Sequence, residues 1–143
     1  MAMLRRLEKR VYVPLPGPAA RELMLRKKLP PASSVSGPSG AMMTRARDDI
    51  DFSALAGSLE GYSGSDIALL CKEAAMRPVR RLMDKLEALE SAPKASSGYG
   101  SADAIRIDPV SNDDMQAALA VTRPSARMYA SKYVTWQAEF AST

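Results

Sequence analysis

The fold of this 143-residue chain is decided in the stretch Leu59–Glu87, LEGYSGSDIALLCKEAAMRPVRRLMDKLE. Ile67, Leu70, Cys71, Ala74, Val79, Leu82, Met83 and Leu86 recur at helical spacing and make an apolar stripe about six turns long. Gly61-Tyr62-Ser63-Gly64-Ser65-Asp66 stands directly before that stripe. There the glycines suit a turn, and Ser63 with Asp66 three residues on forms a weak capping box, so a helix is expected to start here. Pro78 falls inside the stripe and is expected to remove one backbone hydrogen bond and kink the helix.

A helix with one long apolar face needs partners, and the flanking segments supply more helices. Pro18 suits a first helical turn, and Ala19–Leu29 is rich in helix formers, with Leu25 and Leu29 four apart. Asp51 can cap a short helix through Leu59 with Phe52, Leu55 and Leu59 on one face. Ser111 caps another, with Asp113 and Asp114 in its first turn and Met115, Ala118 and Leu119 on its apolar side. Pro124 ends that helix, and Ser125 is expected to cap a last one reaching Phe140. Lys9–Val13 has short β character stopped by Pro14 and Pro16, and Ile105-Arg106-Ile107 is a second extended candidate. One strand cannot make a sheet, so the chain reads as a mainly α helical bundle that carries the last strand of a domain it does not contain. Residues 30–48 and 91–104, rich in Pro, Gly, Ser and Ala, read as flexible surface insertions.

Composition narrows the chemistry. The chain has no histidine and a single cysteine, Cys71, which removes most zinc arrangements, His-based acid–base catalysis and an internal disulfide framework. No apolar run reaches the roughly 18 residues of a membrane span, and no signal peptide opens the chain, so a soluble intracellular protein without a membrane partner is expected. The net charge of +4 is local. Residues 1–28 hold eight Lys/Arg against two acids, while the remaining 115 residues hold twelve basic and fourteen acidic groups. A uniformly basic surface would favour nonspecific polyanion binding, and this distribution argues against a nucleic-acid partner.

Three constellations could carry function, each with a plainer reading beside it. Arg5-Arg6 is either a solvated basic turn or an anion site, since guanidinium forks fit phosphate oxygens. Gly61, Ser63, Gly64 and Ser65 are either cap and turn or a helix start that a ligand approaches closely. Tyr129, Tyr133, Trp136 and Phe140 form an aromatic stripe that reads as core or interface packing, with base stacking as the rival, and its terminal position suits docking onto another domain or subunit. Asp48-Asp49 and Asp113-Asp114 read as helix-start charges, and Cys71 as buried and inert. No metal site is expected. No G-x-x-x-x-G-K-[ST] occurs anywhere in the sequence.

Taken together, MLRRLEKRVYVPLP (Met3–Pro16), Leu59–Glu87, DDMQAALAVTRPSA (Asp113–Ala126) and YVTWQAEF (Tyr133–Phe140) resemble the C-terminal part of a meiotic-clade AAA ATPase. This is the group of katanin, spastin, fidgetin and the endosomal-sorting ATPases. MLRRLEKR, KEAAMRPVR and TRPSA look most like the katanin catalytic-subunit-like 2 branch. The resemblance implies an AAA helical lid over residues 18–143, preceded at residues 1–17 by the end of the nucleotide-binding domain. It implies that Arg5 and Arg6 act as arginine fingers on a neighbouring subunit's nucleotide, and that Gly61, Ser63, Gly64 and Ser65 bind the nucleotide, with Gly64 and Ser65 against the adenine. It also implies ATP and Mg2+ as cofactors of the full-length enzyme, microtubule severing by a homo-hexameric ring, and a cytoplasmic, cytoskeletal location. Docking between subunits would use Arg5, Arg6 and the C-terminal helix. Walker A, Walker B and pore-loop segments of the family have no counterpart here. The chain alone is therefore expected neither to bind nucleotide tightly nor to hydrolyse ATP. A non-catalytic module that binds AAA ring subunits is the alternative.

Overall fold

The computed structural model describes residues 11–32, 45–91 and 107–140. Five α-helices follow in order: α1 (Pro18–Lys28), α2 (Phe52–Ser58), α3 (Gly64–Ser91), α4 (Asn112–Val121) and α5 (Ala130–Phe140), with a 3₁₀ turn at Arg127–Tyr129 before α5. Arg5, Arg6 and the beginning of the expected strand at Lys9–Arg10 lie outside the described residues, as do most of the two stretches read as insertions.

Local chemistry sets the helix boundaries. Pro18 opens α1, where a missing N–H costs nothing, and Arg26, Lys27 and Lys28 occupy its last turn, favourable to the helix dipole. Asp51 caps α2 by accepting the N–H groups of Ser53 and Ala54, both at 3.0 Å. Ser111 and Asp114 make a reciprocal capping box on α4. Helix α3 runs unbroken through Pro78, and at 28 residues it is about 42 Å long.

The core is made where α1 packs on α2 and α3, and α3 on α4. Leu25, Leu29, Leu59, Ile67, Leu70, Val110 and Met115 are among its large, fully buried side chains, as is Pro78. Burial along the α3 stripe is uneven. Ile67, Leu70, Cys71 and Ala74 are buried, whereas beyond Pro78 the stripe is half-covered and Met83 is exposed. The second half of α3 is tied down by polar contacts instead. Arg81 grips Asp114 of α4 through both guanidinium nitrogens, the longer arm at 3.0 Å, and Arg77 donates to the Ala117 carbonyl at 3.2 Å.

β bridges occur where the sequence marks no extended segment. Val11–Gly17 forms no strand; the bridges among the described residues are Pro31 with Ala46 and Ala46 with Val110, both parallel. Ala46 donates to the Pro30 carbonyl and accepts from Ala32, both at 3.0 Å. Arg47 donates to the Val110 carbonyl at 2.9 Å, and Val110 donates to the Arg45 carbonyl at 2.8 Å. Ala46 is fully buried in this seam. The stretch 30–48 thus contributes to a core contact, with Pro31 and Ala46 serving the fold. An extended chain forms a ladder only beside another edge, and Pro14 and Pro16 have no N–H to offer one.

Candidate functional site at the start of α3

Gly61 adopts φ 84°, the left-handed geometry that glycine takes without penalty, and so turns the chain from α2 into α3. Ser63 then stands as the cap. Its N–H and its hydroxyl both donate to Asp66 Oδ2, at 2.9 and 2.8 Å, and its oxygen accepts the Asp66 N–H at 3.2 Å. Because the Ser63 proton goes to Asp66, the Ser65 hydroxyl is the donor in the 3.1 Å contact between the two serines. Gly64 and Ser65 lie exposed at this end of the helix. A Cβ on Gly64 would meet only the tip of Met24 at ordinary contact distance, so the surface at this point is open.

Asp66 is 6% exposed and is the hub of the site. Besides Ser63 it accepts the Ser125 hydroxyl on Oδ1 at 2.8 Å and the Ser125 N–H on Oδ2 at 3.2 Å. Burial pushes its carboxyl upward, but the donors from Ser63 and Ser125 outweigh burial and hold it below the ordinary carboxylate value. The neighbouring Tyr62 is buried and donates its phenol to the Thr122 carbonyl at 2.7 Å. Burial first, and the Asp66 charge second, raise its pKa, so it stays protonated. Cys71 lies one turn further along, where burial pushes its thiol up to about 11 against a smaller opposing pull from Lys28. It packs as a buried core residue.

The structure therefore brings Gly61, Ser63, Gly64 and Ser65 together as one surface, as their sequence proximity requires. The role of Ser125 differs from expectation: its hydroxyl crosses to Asp66 instead of capping α5, which begins after the 3₁₀ turn. No local signal points to that contact, because its partner is 59 residues away. Arg21 likewise carries no local signal of its role. It is buried, and donates to the Ala56 and Pro16 carbonyls at 2.8 and 2.9 Å, joining α1 to α2 and to the N-terminal segment.

The aromatic stripe on α5 lies outside the core. Tyr129 and Tyr133 are about half exposed, while the rings of Trp136 and Phe140 meet at a tilt of 37° with centroids 6.2 Å apart. Tyr133 stacks on Tyr12 at 6.1 Å, and Val11, Tyr12, Val13, Leu15, Tyr133 and Trp136 help line an open groove of about 460 Å³. Among the described residues no three Cys, Asp or Glu side chains are grouped to hold a metal ion, and no helix is long and apolar enough to cross a membrane.

Residues 49–91 match the AAA+ lid domain family. Over 99% of its length the chain is 48% identical to the A-like 2 katanin p60 ATPase-containing subunit of Xenopus tropicalis, covering 24% of that protein. It is 34% identical, over 99% of its length, to the A1 katanin p60 ATPase-containing subunit of Strongylocentrotus purpuratus, again covering 24%. The chain thus spans about a quarter of the length of these curated relatives. Among solved structures it is similar to the FIGL-1 AAA domain in complex with ADP, with TM-score 0.67, 27% identity and coverage of 99% of this chain and 41% of that one. A structure described as the basis for katanin self-assembly matches with TM-score 0.61 and 28% identity, over 94% of this chain and 42% of that one.

Proposed function

We propose, from the premise that this chain carries an AAA+ lid domain and is katanin-like over nearly its whole length, that it serves as the lid portion of a microtubule-severing AAA ATPase. The observation that carries this reading is the start of α3. Inside the segment that matches the lid family, Gly64 and Ser65 present a small, exposed surface on a helix end held firmly by Ser63 and Asp66. That surface suits a flat heterocycle. Gly61, Ser63, Gly64 and Ser65 would bind the nucleotide of the full-length enzyme, with Gly64 and Ser65 against the adenine; the chain itself is similar to part of a AAA domain that was solved with ADP.

Arg5 and Arg6 would reach the nucleotide of the next subunit in a hexameric ring and stabilise charge as the phosphoryl group leaves. Mg2+ and the triphosphate would be held by Walker segments that this sequence does not contain. Tubulin would be the substrate and the cytoplasmic cytoskeleton the location. The exposed aromatic face of α5 would dock against neighbouring AAA subunits, a use supported by the similarity to a self-assembling katanin structure.

The purified 143-residue chain is expected to show no ATP turnover. In a full-length enzyme carrying it, Arg5→Ala or Arg6→Ala is expected to abolish turnover with ATP binding largely kept. Turnover by the chain itself, or loss of binding with normal turnover per bound site, would refute the assignment. The exposed Tyr129, Tyr133 and Val134 also favour a second reading, a non-catalytic module that binds ring subunits through α5. Co-purification, with fixed stoichiometry, of the isolated chain and full-length katanin would support it.

A further inference from the structure

Helices α1 to α4 form one packed unit, and α5 stands apart from these helices; it meets its own 3₁₀ turn and, through Tyr133 and Trp136, the segment Val11–Leu15. Eleven residues are too few for a helix to be stable by itself in water, so α5 depends on the Val11–Leu15 segment beside it and on the connector that leads into it. The connector that leads into it, Thr122–Ala126, is fixed at two points, and both lie at the start of α3. The Thr122 carbonyl accepts from Tyr62, and Ser125 donates twice to Asp66. Asp66 has no slack: Oδ2 receives Ser63 N–H, Ser63 Oγ and Ser125 N–H, and Oδ1 receives Ser125 Oγ. Hydrogen bonds to a buried carboxylate are shorter and stronger than neutral ones. A shift of Ser63 therefore moves the carboxylate, and the carboxylate moves Ser125.

We infer that Asp66 and Ser125 form a latch through which the first turn of α3 sets the orientation of α5. The latch makes Asp66 a positioning residue that joins the surface at Gly64–Ser65 to the aromatic face of α5. That this would carry nucleotide contact to a docking face rests on the reading above; the latch itself does not.

The test uses the 143-residue chain with no nucleotide added. Trp136 is its single tryptophan and lines the groove beside Tyr12 and Tyr133, so its emission reports the seating of α5. Ser125→Ala is expected to red-shift Trp136 emission and to speed amide exchange in residues 126–140 about tenfold, the scale of one lost charge-assisted bond. Amides of α1–α4 should exchange as before, and Ser125→Thr should restore both signals. Asp66→Asn keeps the side chain's shape and weakens every bond to it, so it should loosen residues 126–140 together with the first turn of α3.

Three results would overturn the latch. One is Ser125→Ala with unchanged emission and exchange. Another is equal acceleration throughout α1–α4, the mark of ordinary destabilisation. The third is Asp66→Asn loosening α3 alone. Because no nucleotide enters these readouts, failure of the latch and failure of the ATPase reading remain separable.

Discussion

Ser63–Asp66 at the start of α3 and Ser111–Asp114 at the start of α4 hold the same three hydrogen bonds. In each, the serine N–H and hydroxyl donate to Asp Oδ2, at 2.9 and 2.8 Å in the first and at 3.0 Å for both in the second, and the Asp N–H returns to the serine oxygen at 3.2 Å. Both carboxylates are buried. They differ in what else they accept. Asp114 takes a bidentate guanidinium from Arg81, so its charge is neutralised inside the packed unit and α3 is bound to α4. Among the described residues Asp66 has no cationic partner; it takes the neutral donors of Ser125 and remains a net negative charge beside the exposed helix start. One capping motif thus serves cohesion of the core, and the other serves a connection out of it.

The sharpest way to break this contrast is to delete each carboxylate. Asp114→Ala removes a cap and half of a tie between core helices and should cost about 3 kcal/mol in urea unfolding. Asp66→Ala removes an equal cap, but its second set of bonds leads outside the core, so the cost should be smaller, about 2 kcal/mol. Equal losses would erase the distinction.

Acid sharpens it further. Burial raises the Asp114 carboxyl, but Arg81 and Ser111 together prevail and leave it lowered, as the serine donors do for Asp66. Carboxylates with lowered folded pKa contribute stability that is present above their unfolded value, about 3.9, and lost as pH falls through the folded one. The urea midpoint should therefore fall below about pH 4. Asp114→Asn and Asp66→Asn should each flatten that fall, measured as midpoint against pH; an unchanged profile in either would contradict its assignment. The smallest effect is expected at the connector. Tyr62→Phe deletes only the bond to the Thr122 carbonyl and should cost about 1 kcal/mol in the same assay.

Much of this fold is legible locally. Asp51, Ser63 and Ser111 can be read as caps because each bonds to N–H groups two or three residues on, and Pro18 because its fixed φ suits a first turn. The stripe from Ile67 to Ala74 is buried as its spacing requires. Past Pro78 the same spacing misleads: periodicity says which face is apolar, not how far a partner helix extends along it. Ala46 reads as part of a low-complexity run, yet it is wholly buried between Pro31 and Val110, because its partners come from segments 15 and 64 residues away. Gly61, Ser63, Gly64 and Ser65 are neighbours in sequence and so fall together at one helix start, whereas the contact of Ser125 with Asp66 spans 59 residues.

By itself, then, the sequence determined a capped helical bundle, its long central helix and the lid-like start of that helix, since these follow from interactions within a turn or from a repeating apolar face. The tertiary structure alone decided which partner each buried carboxylate receives. Arg81 for Asp114 and Ser125 for Asp66 are contacts across 33 and 59 residues, and only packing of the helices brings those donors within hydrogen-bond reach. The same packing leaves α5 outside the core, so that a stripe of aromatic residues becomes an exposed face.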